Sequence, residues 1–277
     1  MSRFLYLYGH EMNTLIICRM TIVSILRDRI LHVLAASGAF LFLLVPTFSL
    51  FSMRQVQELS ISLSLSMLSF LLLTFSAVLG SFSIWRDIEK RYIISLLGTP
   101  VSRPSYVIGK FSGIAVFLTV CSSIFGVVAL GVIVISSAQY PSEVPIKWIN
   151  IFFAIFGENL KYILLAAFAL LFSSVSTSFF FPFFATVAVY LAGSGSQSVY
   201  EYVSGSDGEK ISIFARLIIR GLYYVLPNFS AFEYKVQAIY ALPITSGGIV
   251  AMFFYCAVYT GIVLVLSVWA FSRRELS

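Results

Sequence analysis

The sequence predicts an all-α membrane protein that crosses the bilayer six times, and two observations support this fold class. Hydrophobic residues make up 59% of the chain and charged residues only 11%, whereas soluble domains are about 45–50% apolar and about 25% charged. The apolar residues also occur in runs of about 20, the length of helix that crosses roughly 30 Å of hydrocarbon. A soluble fold could not bury so much apolar surface, so we expect residues 1–277 to form a single transmembrane domain.

The first half of the chain predicts a surface helix followed by three spans. Residues 1–29 mix charged and apolar residues, which favours a helix lying along the membrane surface over a spanning helix. Their charges are spread throughout, so the stretch lacks the apolar core of a signal peptide and we expect it to stay attached. Spans one, two and three are predicted at residues 31–51, 59–85 and 105–135. The serines of span two favour a helix-packing face over a substrate path.

The segment between spans two and three, residues 86–104, carries the densest charge in the chain. Within it Ile88, Tyr92 and Leu96 recur every four residues, which predicts a short amphipathic helix. Beyond a break at Gly98, Ser102 followed by Arg103 and Pro104 is typical of a helix start, with serine capping and proline in the first turn.

The second half of the chain predicts three more spans. We expect residues 146–160 to be interfacial and residues 173–178 to form the turn of a hairpin. Residues 194–246 are predicted to be extracytoplasmic, with an amphipathic interfacial helix at 209–226. The predicted spans four, five and six are 162–175, 179–192 and 247–271, with Gly193 and Gly195 ending the fifth.

The distribution of charge predicts the orientation of this topology. The N-terminal segment, residues 86–104 with Lys110, and the C-terminal tail lie on one side of this topology and carry the whole formal net charge of +6. Cytoplasmic loops are enriched in lysine and arginine. We therefore expect both termini to lie in the cytoplasm.

Few residues offer catalytic chemistry. The spans lack a nucleophile with a base and lack clustered carboxylates, so we expect no enzymatic activity in this chain. The cysteines are far apart and the two histidines lie in or beside the N-terminal segment, so we expect no disulfide and no metal site. Lys110 follows Gly109, but Pro104 and Phe111 violate the spacing of a phosphate loop. Any dependence on ATP would therefore come from another subunit.

Glu158 and Lys161 are the candidates for an ion-driven carrier, which holds paired ionisable residues near the membrane centre. They stand three residues apart on one helical face. This spacing favours a local surface ion pair at the outer boundary. The carrier remains open as an alternative class.

Several motifs around the third span resemble one known family. An acidic residue, Glu89, lies in a basic cluster after span two. It is followed by the pair Leu96 and Leu97, a Pro-Val-Ser-Arg stretch ending at Arg103, and Gly109 with Lys110 opening span three. This arrangement resembles the ABC type-2 permeases, the membrane subunits of one class of ATP-driven exporter.

Two further segments extend the resemblance over nearly the whole chain. They are Leu226–Phe229, before the last predicted span, and Phe271–Glu275. Both are similar to the branch that includes the membrane subunit of nitrous oxide reductase maturation systems. Arg91 and Tyr92 depart from the Gly-Thr of many relatives, which weakens the branch assignment more than the family assignment.

The resemblance implies an ABC type-2 exporter-like fold and a half-transporter of a bacterial inner membrane. It implies a dimer with a second copy of itself or a related permease, and two cytoplasmic ATPase subunits that carry ATP and magnesium. An extracytoplasmic accessory protein would be compatible with it, and nucleic acid is not an expected partner. The alternative classes are an ion-driven secondary carrier and a non-transporting membrane assembly subunit.

The resemblance also assigns a role to residues 86–104, as the coupling segment that docks on the ATPase. The alternative is that these charges only hold the loop at lipid headgroups. An apolar or amphipathic cargo is the default expectation. The residues implied as ATPase contacts are Arg86, Glu89, Lys90, Arg91 and Arg103.

Overall fold

A computed structural model describes residues 2–49, 55–90, 102–139, 145–205 and 212–274, and within these ranges it is helical without strands. For residues 2–13 only the backbone path is described. The helices are α1 (Ser2–Leu26), α2 (Arg29–Ser49), α3 (Val56–Glu89), α4 (Arg103–Gln139), α5 (Trp148–Val175), α6 (Phe180–Ser204), α7 (Ile213–Val225), a 3-10 turn (Phe229–Phe232), α8 (Lys235–Ile239) and α9 (Ser246–Ser272).

Five helices of the described residues are long and apolar enough to cross a membrane. These are α2, α3, α4, α5 and α9. Helix α6 has 25 residues, but its second half carries Ser194, Ser196, Gln197 and Glu201 and is more polar. The predicted all-α, polytopic membrane fold is confirmed. Among the described residues, α6 and these five helices make six long helices that follow α1 in the chain.

The two longest helices exceed the thickness of a bilayer core. Helix α3 has 34 residues and α4 has 37, which correspond to about 50 and 55 Å at 1.5 Å per residue. The hydrocarbon core is only roughly 30 Å thick, so both helices extend beyond it. The predicted helix start is also confirmed, because the backbone N–H of Ser105 donates to Ser102 Oγ at 3.3 Å.

Helices α3 and α5 pack against each other at the centre of the bundle. Gly80 lies so close to Ala169 that a Cβ there would overlap the alanine side chain. In the same contact, Ser173 Oγ donates to the carbonyl of Ser81 at 2.8 Å. The side chains of Ser60, Ser64, Ser76 and Ser81 are also buried, which supports the packing interpretation of the serines in α3.

Helix α1 packs along the first part of α4. Ile17 and Thr21 face Gly109 and Gly113, where an added Cβ would come within 2.7–2.8 Å of their side chains. The predicted N-terminal helix is therefore present and is held against the bundle. Its position along a membrane surface stays a prediction.

Three predicted boundaries differ from the structure. Residues 146–160 were expected to be interfacial, but α5 runs unbroken from Trp148 and buries Ile151 and Ala154. Span five was expected to end at Gly193 and Gly195, but α6 continues to Ser204. The amphipathic helix predicted from Ile88, Tyr92 and Leu96 begins as the last turn of α3, which ends at Glu89. The remainder of that helix lies outside the described residues.

Candidate functional site

The ends of α1 and α3 and the start of α4 meet at one end of the bundle, where charged residues are concentrated. We call this the charged end and define it by Asp28, Arg86, Asp87, Arg103 and Lys110. Asp28 follows α1, Arg86 and Asp87 lie in the last turn of α3, and Arg103 and Lys110 lie in the first turns of α4.

Asp28 links the turn between α1 and α2 to the end of α3. Its Oδ2 lies 2.5 Å from Arg86 Nη1, and its Oδ1 accepts the backbone N–H of Ile30 at 3.0 Å. The guanidinium also lies over the Phe82 ring, 4.9 Å from its centroid. One carboxylate therefore caps the start of α2 and fixes the end of α3.

Asp87 links the end of α3 to α4. Its Oδ2 lies 2.6 Å from Lys110 Nζ and accepts the Tyr106 hydroxyl at 2.6 Å. The Tyr106 ring is buried and stacks on Phe271 of α9, with 5.4 Å between ring centroids. This contact joins α3, α4 and α9 at the same level.

Two arginines bind carbonyl groups at the charged end. Arg103 Nη1 donates to the carbonyls of Ser272 at 2.5 Å and Arg274 at 3.3 Å. Arg274 Nη1 donates in turn to the carbonyls of Ser174 and Ser176, at 3.0 and 2.8 Å. These bonds satisfy carbonyls at the ends of α9 and α5 that have no partner within their own helix.

The sequence-predicted contact residues occupy different positions at this end. Glu89 and Lys90 are exposed where α3 ends. Arg86 and Arg103 lie beside them but are engaged by Asp28 and by the α9 carbonyls. Arg91 lies outside the described residues. The structure thus brings four of the five residues to one end and leaves Glu89 and Lys90 facing solvent.

A second charged group lies near the middle of the bundle. Lys161 is only 1% exposed, and its Nζ lies 2.8 Å from Glu158 Oε2 and 3.4 Å from Glu233 Oε1. We call Glu158, Lys161 and Glu233 the buried network; Glu158 is buried like Lys161, and Glu233 lies at the edge with its side chain 46% exposed. The prediction of a surface ion pair for Glu158 and Lys161 is wrong, because α5 is central and a segment 72 residues further along the chain covers them.

Hydroxyl groups from neighbouring helices extend the buried network. Ser69 Oγ of α3 and the Tyr162 hydroxyl are 2.6 Å apart. Tyr162 donates to the Tyr190 hydroxyl of α6 at 3.5 Å. Lys161 Nζ lies 5.1 Å from the Tyr162 ring centroid and 6.0 Å from that of Tyr190. The ammonium group is therefore surrounded by carboxylates, hydroxyls and aromatic rings instead of lipid.

Glu233 belongs to the connecting segment, which we define as residues 226–245 between α7 and α9. Phe229 and Phe232 of this segment are fully buried, and a Cβ at Gly157 would overlap the Phe232 carbonyl oxygen. Phe229 also packs at Gly193 of α6. This part of the predicted extracytoplasmic segment, residues 194–246, therefore packs against α5 and α6, and its side of the membrane stays a prediction.

The backbone of the connecting segment is irregular, and side chains bind several of its polar groups. Asn228 N–H donates to the Tyr255 hydroxyl at 2.8 Å, and Asn228 Oδ1 accepts the N–H of Ser230 at 3.1 Å. Asn228 Nδ2 donates to Gln197 Oε1 at 2.9 Å. Non-helical backbone is tolerated inside a membrane protein only where protein or water satisfies it in this way.

Lys235 and Asn150 attach the second half of the connecting segment to α3 and α5. Lys235 Nζ donates to Ser66 Oγ of α3 at 2.6 Å, and burial lowers the pKa of this lysine below its usual range. Asn150 Nδ2 donates to the carbonyls of Gln237 and Leu242, both at 2.8 Å. Sequence reasoning missed Glu233 and Lys235. Their only signal is that two charges follow closely on the Leu-Pro-Asn-Phe motif.

Comparison with known proteins gives one family. A family described as ABC-2 family transporter protein matches residues 10–276. No curated protein matches the chain. The match covers every helix that forms the charged end and the buried network.

Proposed function

Because the chain belongs to the ABC-2 family of transporter proteins, we propose that it is the permease subunit of an ATP-driven exporter. It forms the translocation path as a dimer with a second copy of itself or a related permease. Two separate cytoplasmic ATPase subunits bind and hydrolyse ATP with magnesium. The observation that carries this proposal is the family match over residues 10–276.

The charged end is the cytoplasmic end in this proposal, and residues 86–104 are the coupling segment. Its two ends are the last turn of α3 and the first turn of α4, helices of 34 and 37 residues. A force applied to the segment would reach both helices directly. It would also reach α9, because Arg103 binds the carbonyls at the end of that helix. Packed helices that move as rigid bodies are a common route for such coupling.

The proposed contacts divide into two kinds. Glu89 and Lys90 are exposed and are the described residues that an ATPase surface would meet first, followed along the chain by Arg91. Arg86 and Arg103 are internally engaged, so they would hold α2, α3, α4 and α9 together while the segment is displaced.

The first test is to purify the tagged chain in mild detergent and to identify co-purifying proteins and their stoichiometry by mass spectrometry. The proposal expects an ATPase with phosphate-loop motifs at one copy per chain. Reproducible absence of an ATPase would overturn it. Attention would then turn to an ion-driven carrier, for which the buried Glu158 and Lys161 supply paired charges in a spanning helix.

A second test addresses the coupling segment. Reversing both exposed charges, Glu89→Lys with Lys90→Glu, is expected to weaken ATPase co-purification by roughly fivefold, since a pair of exposed charges contributes up to about 1 kcal/mol. Thermal stability should stay the same because neither side chain has a partner among the described residues. Lys147→Glu, an exposed charge reversal at the other end of α5, is the matched control and should leave co-purification unchanged. Equal ATPase recovery in the double variant would contradict the coupling role.

A further inference from the structure

We propose that a cleft between α1 and the adjoining ends of α3 and α4 binds the headgroup of an anionic phospholipid. The cleft has a volume of about 640 Å³, within the roughly 300–1,000 Å³ of small-molecule sites in proteins. We call it the α1 cleft. The charged residues that line it are Arg19, Arg27, Arg86, Lys90, Lys110 and Asp87.

The charge of the α1 cleft is strongly positive. Five cations line it against one carboxylate. Arg86 is neutralised by Asp28, just outside the cleft lining, and Lys110 by Asp87. Arg19, Arg27 and Lys90 have no ion pair within the described part of the chain, and all three are exposed. The cleft therefore offers three uncompensated cations to an anion, and basic pockets between membrane helices are known to hold anionic headgroups.

The apolar residues of the α1 cleft favour a lipid over a soluble anion. Ile16, Met20 and Val23 are 51%, 44% and 39% exposed. They alternate along α1 with Arg19 and Arg27, so the same wall presents cations and apolar side chains. An acyl chain would cover the apolar side chains while the phosphate meets the arginines, as in amphipathic helices that bind anionic membranes. A free phosphate would leave them in water.

The level of the α1 cleft in the bundle also fits a headgroup. It lies beside the Asp87–Lys110 pair, where α3 and α4 carry charges that cannot sit in hydrocarbon. The acyl chains of a bound lipid would extend from this level along the apolar sides of α1 and α4. This inference requires no ATPase partner, so it can fail or succeed independently of the proposed function.

The test measures lipid binding to the purified chain in neutral detergent, by native mass spectrometry and by the midpoint of thermal unfolding. Phosphatidylglycerol should remain bound and raise the midpoint by mass action, whereas phosphatidylcholine should do neither. The double variant Arg19→Gln/Arg27→Gln should bind phosphatidylglycerol roughly thirtyfold more weakly, because each cation near an anionic headgroup contributes about 1 kcal/mol.

The matched control removes the same charge from exposed positions away from the cleft, in the double variant Lys147→Gln/Arg220→Gln. It should bind phosphatidylglycerol like the unmodified chain. If the Arg19/Arg27 variant unfolds without lipid, the single Lys90→Gln substitution serves instead, with a loss of about fivefold.

Four results would overturn the lipid site. These are equal binding of phosphatidylcholine, full phosphatidylglycerol binding by the cleft variants, equal loss in the control, and full stabilisation by soluble glycerol 3-phosphate. The last result would assign the cleft to a free anion. If the cleft variants lost the ATPase but kept phosphatidylglycerol, the cleft would be a protein-docking surface, and the lipid proposal would again be wrong.

Discussion

The charged end and the buried network both contain ion pairs, but their surroundings differ. At the charged end the paired side chains of Asp28, Arg86 and Asp87 are 15–28% exposed. In the buried network the side chains of Lys161 and Glu158 are 1% and 10% exposed, and Glu233 alone of the three reaches solvent. Water and headgroups can solvate the first set when a pair breaks, whereas Lys161 or Glu158 left alone would be a buried charge without its partner. The same chemistry therefore provides an adjustable contact in one region and a fixed one in the other.

The largest effect is expected from removing the cation of the buried network. Lys161→Met leaves the buried carboxylate of Glu158 without its partner, and breaking one side of a buried pair destabilises by about 3–5 kcal/mol. The measurement is thermal unfolding in detergent, with the yield of monodisperse protein as a second readout. Lys147→Met, at the exposed residue that immediately precedes α5, is the matched control and should change stability by about 0.5 kcal/mol or less.

A companion variant distinguishes charge from packing in this result. Adding Glu158→Gln to Lys161→Met removes one unpaired carboxylate, so part of the lost stability should return. If the single and double variants unfold at the same temperature, the unpaired charge of Glu158 does not cause the loss of stability, and the lost packing of the Lys161 side chain does.

A smaller effect is expected where the connecting segment contacts α5. Gly157→Ala places a methyl group against the Phe232 carbonyl and should displace the segment that carries Glu233, costing about 1–3 kcal/mol. Thermal unfolding again provides the measurement. Gly131→Ala, in α4 with nothing within 4 Å of the added Cβ, should be neutral or stabilising by up to about 1 kcal/mol. Equal destabilisation by both substitutions would contradict the close approach of the connecting segment.

The smallest effect is expected at the charged end. Asp28→Asn should lower stability by only about 0.2–1 kcal/mol, since the Asp28–Arg86 pair is partly solvated. Raising the salt concentration should reduce the difference between Asp28→Asn and the unmodified chain, because ions screen exposed charges. Thermal unfolding at low and high salt measures this. A loss as large as that of Lys161→Met would remove the distinction between the two regions.

The fold was largely predictable because most spans are continuous apolar runs. The helices α2 (Arg29–Ser49) and α9 (Ser246–Ser272) cover the predicted spans 31–51 and 247–271 within a few residues. The first half of α5 was not predicted as part of a span, since Asn150, Glu158 and Lys161 interrupt its apolar pattern. Asn150 and Lys161 bind groups of the connecting segment, and Glu158 binds Lys161. No local pattern in the sequence reveals that this segment packs there.

The second half of α6 was missed for a related reason. Glycine commonly marks the end of a helix, so Gly193 and Gly195 predicted a stop. In the structure Gly193 lies within the helix, and an added Cβ would come within 2.5 Å of Pro227 O and of Phe229. The absence of a side chain at Gly193 makes room for the connecting segment. The glycine is therefore required by a close tertiary contact and does not mark a helix end.

The candidate site was predictable in part. The density of charge over residues 86–104 indicated the charged end, and the structure adds Asp28, Lys110 and the α9 carbonyls as its partners. These contacts join positions up to 171 residues apart. A single sequence carries no local signal for pairs at such separation.

The bonds of Arg103 and Arg274 have a consequence for the order of assembly during synthesis. Arg103, at the start of α4, donates to carbonyls at the end of α9, and Arg274 donates to carbonyls at the end of α5. The ribosome makes α9 after both of these helices. While α9 is being synthesised, α4 and α5 can already be inserted in the membrane. At the charged end, Arg103 then still lacks its carbonyl acceptors, and the carbonyls at the end of α5 still lack Arg274. A nascent chain arrested before α9 would therefore present an open, basic end to chaperones and membrane proteases, and completion of α9 would close it.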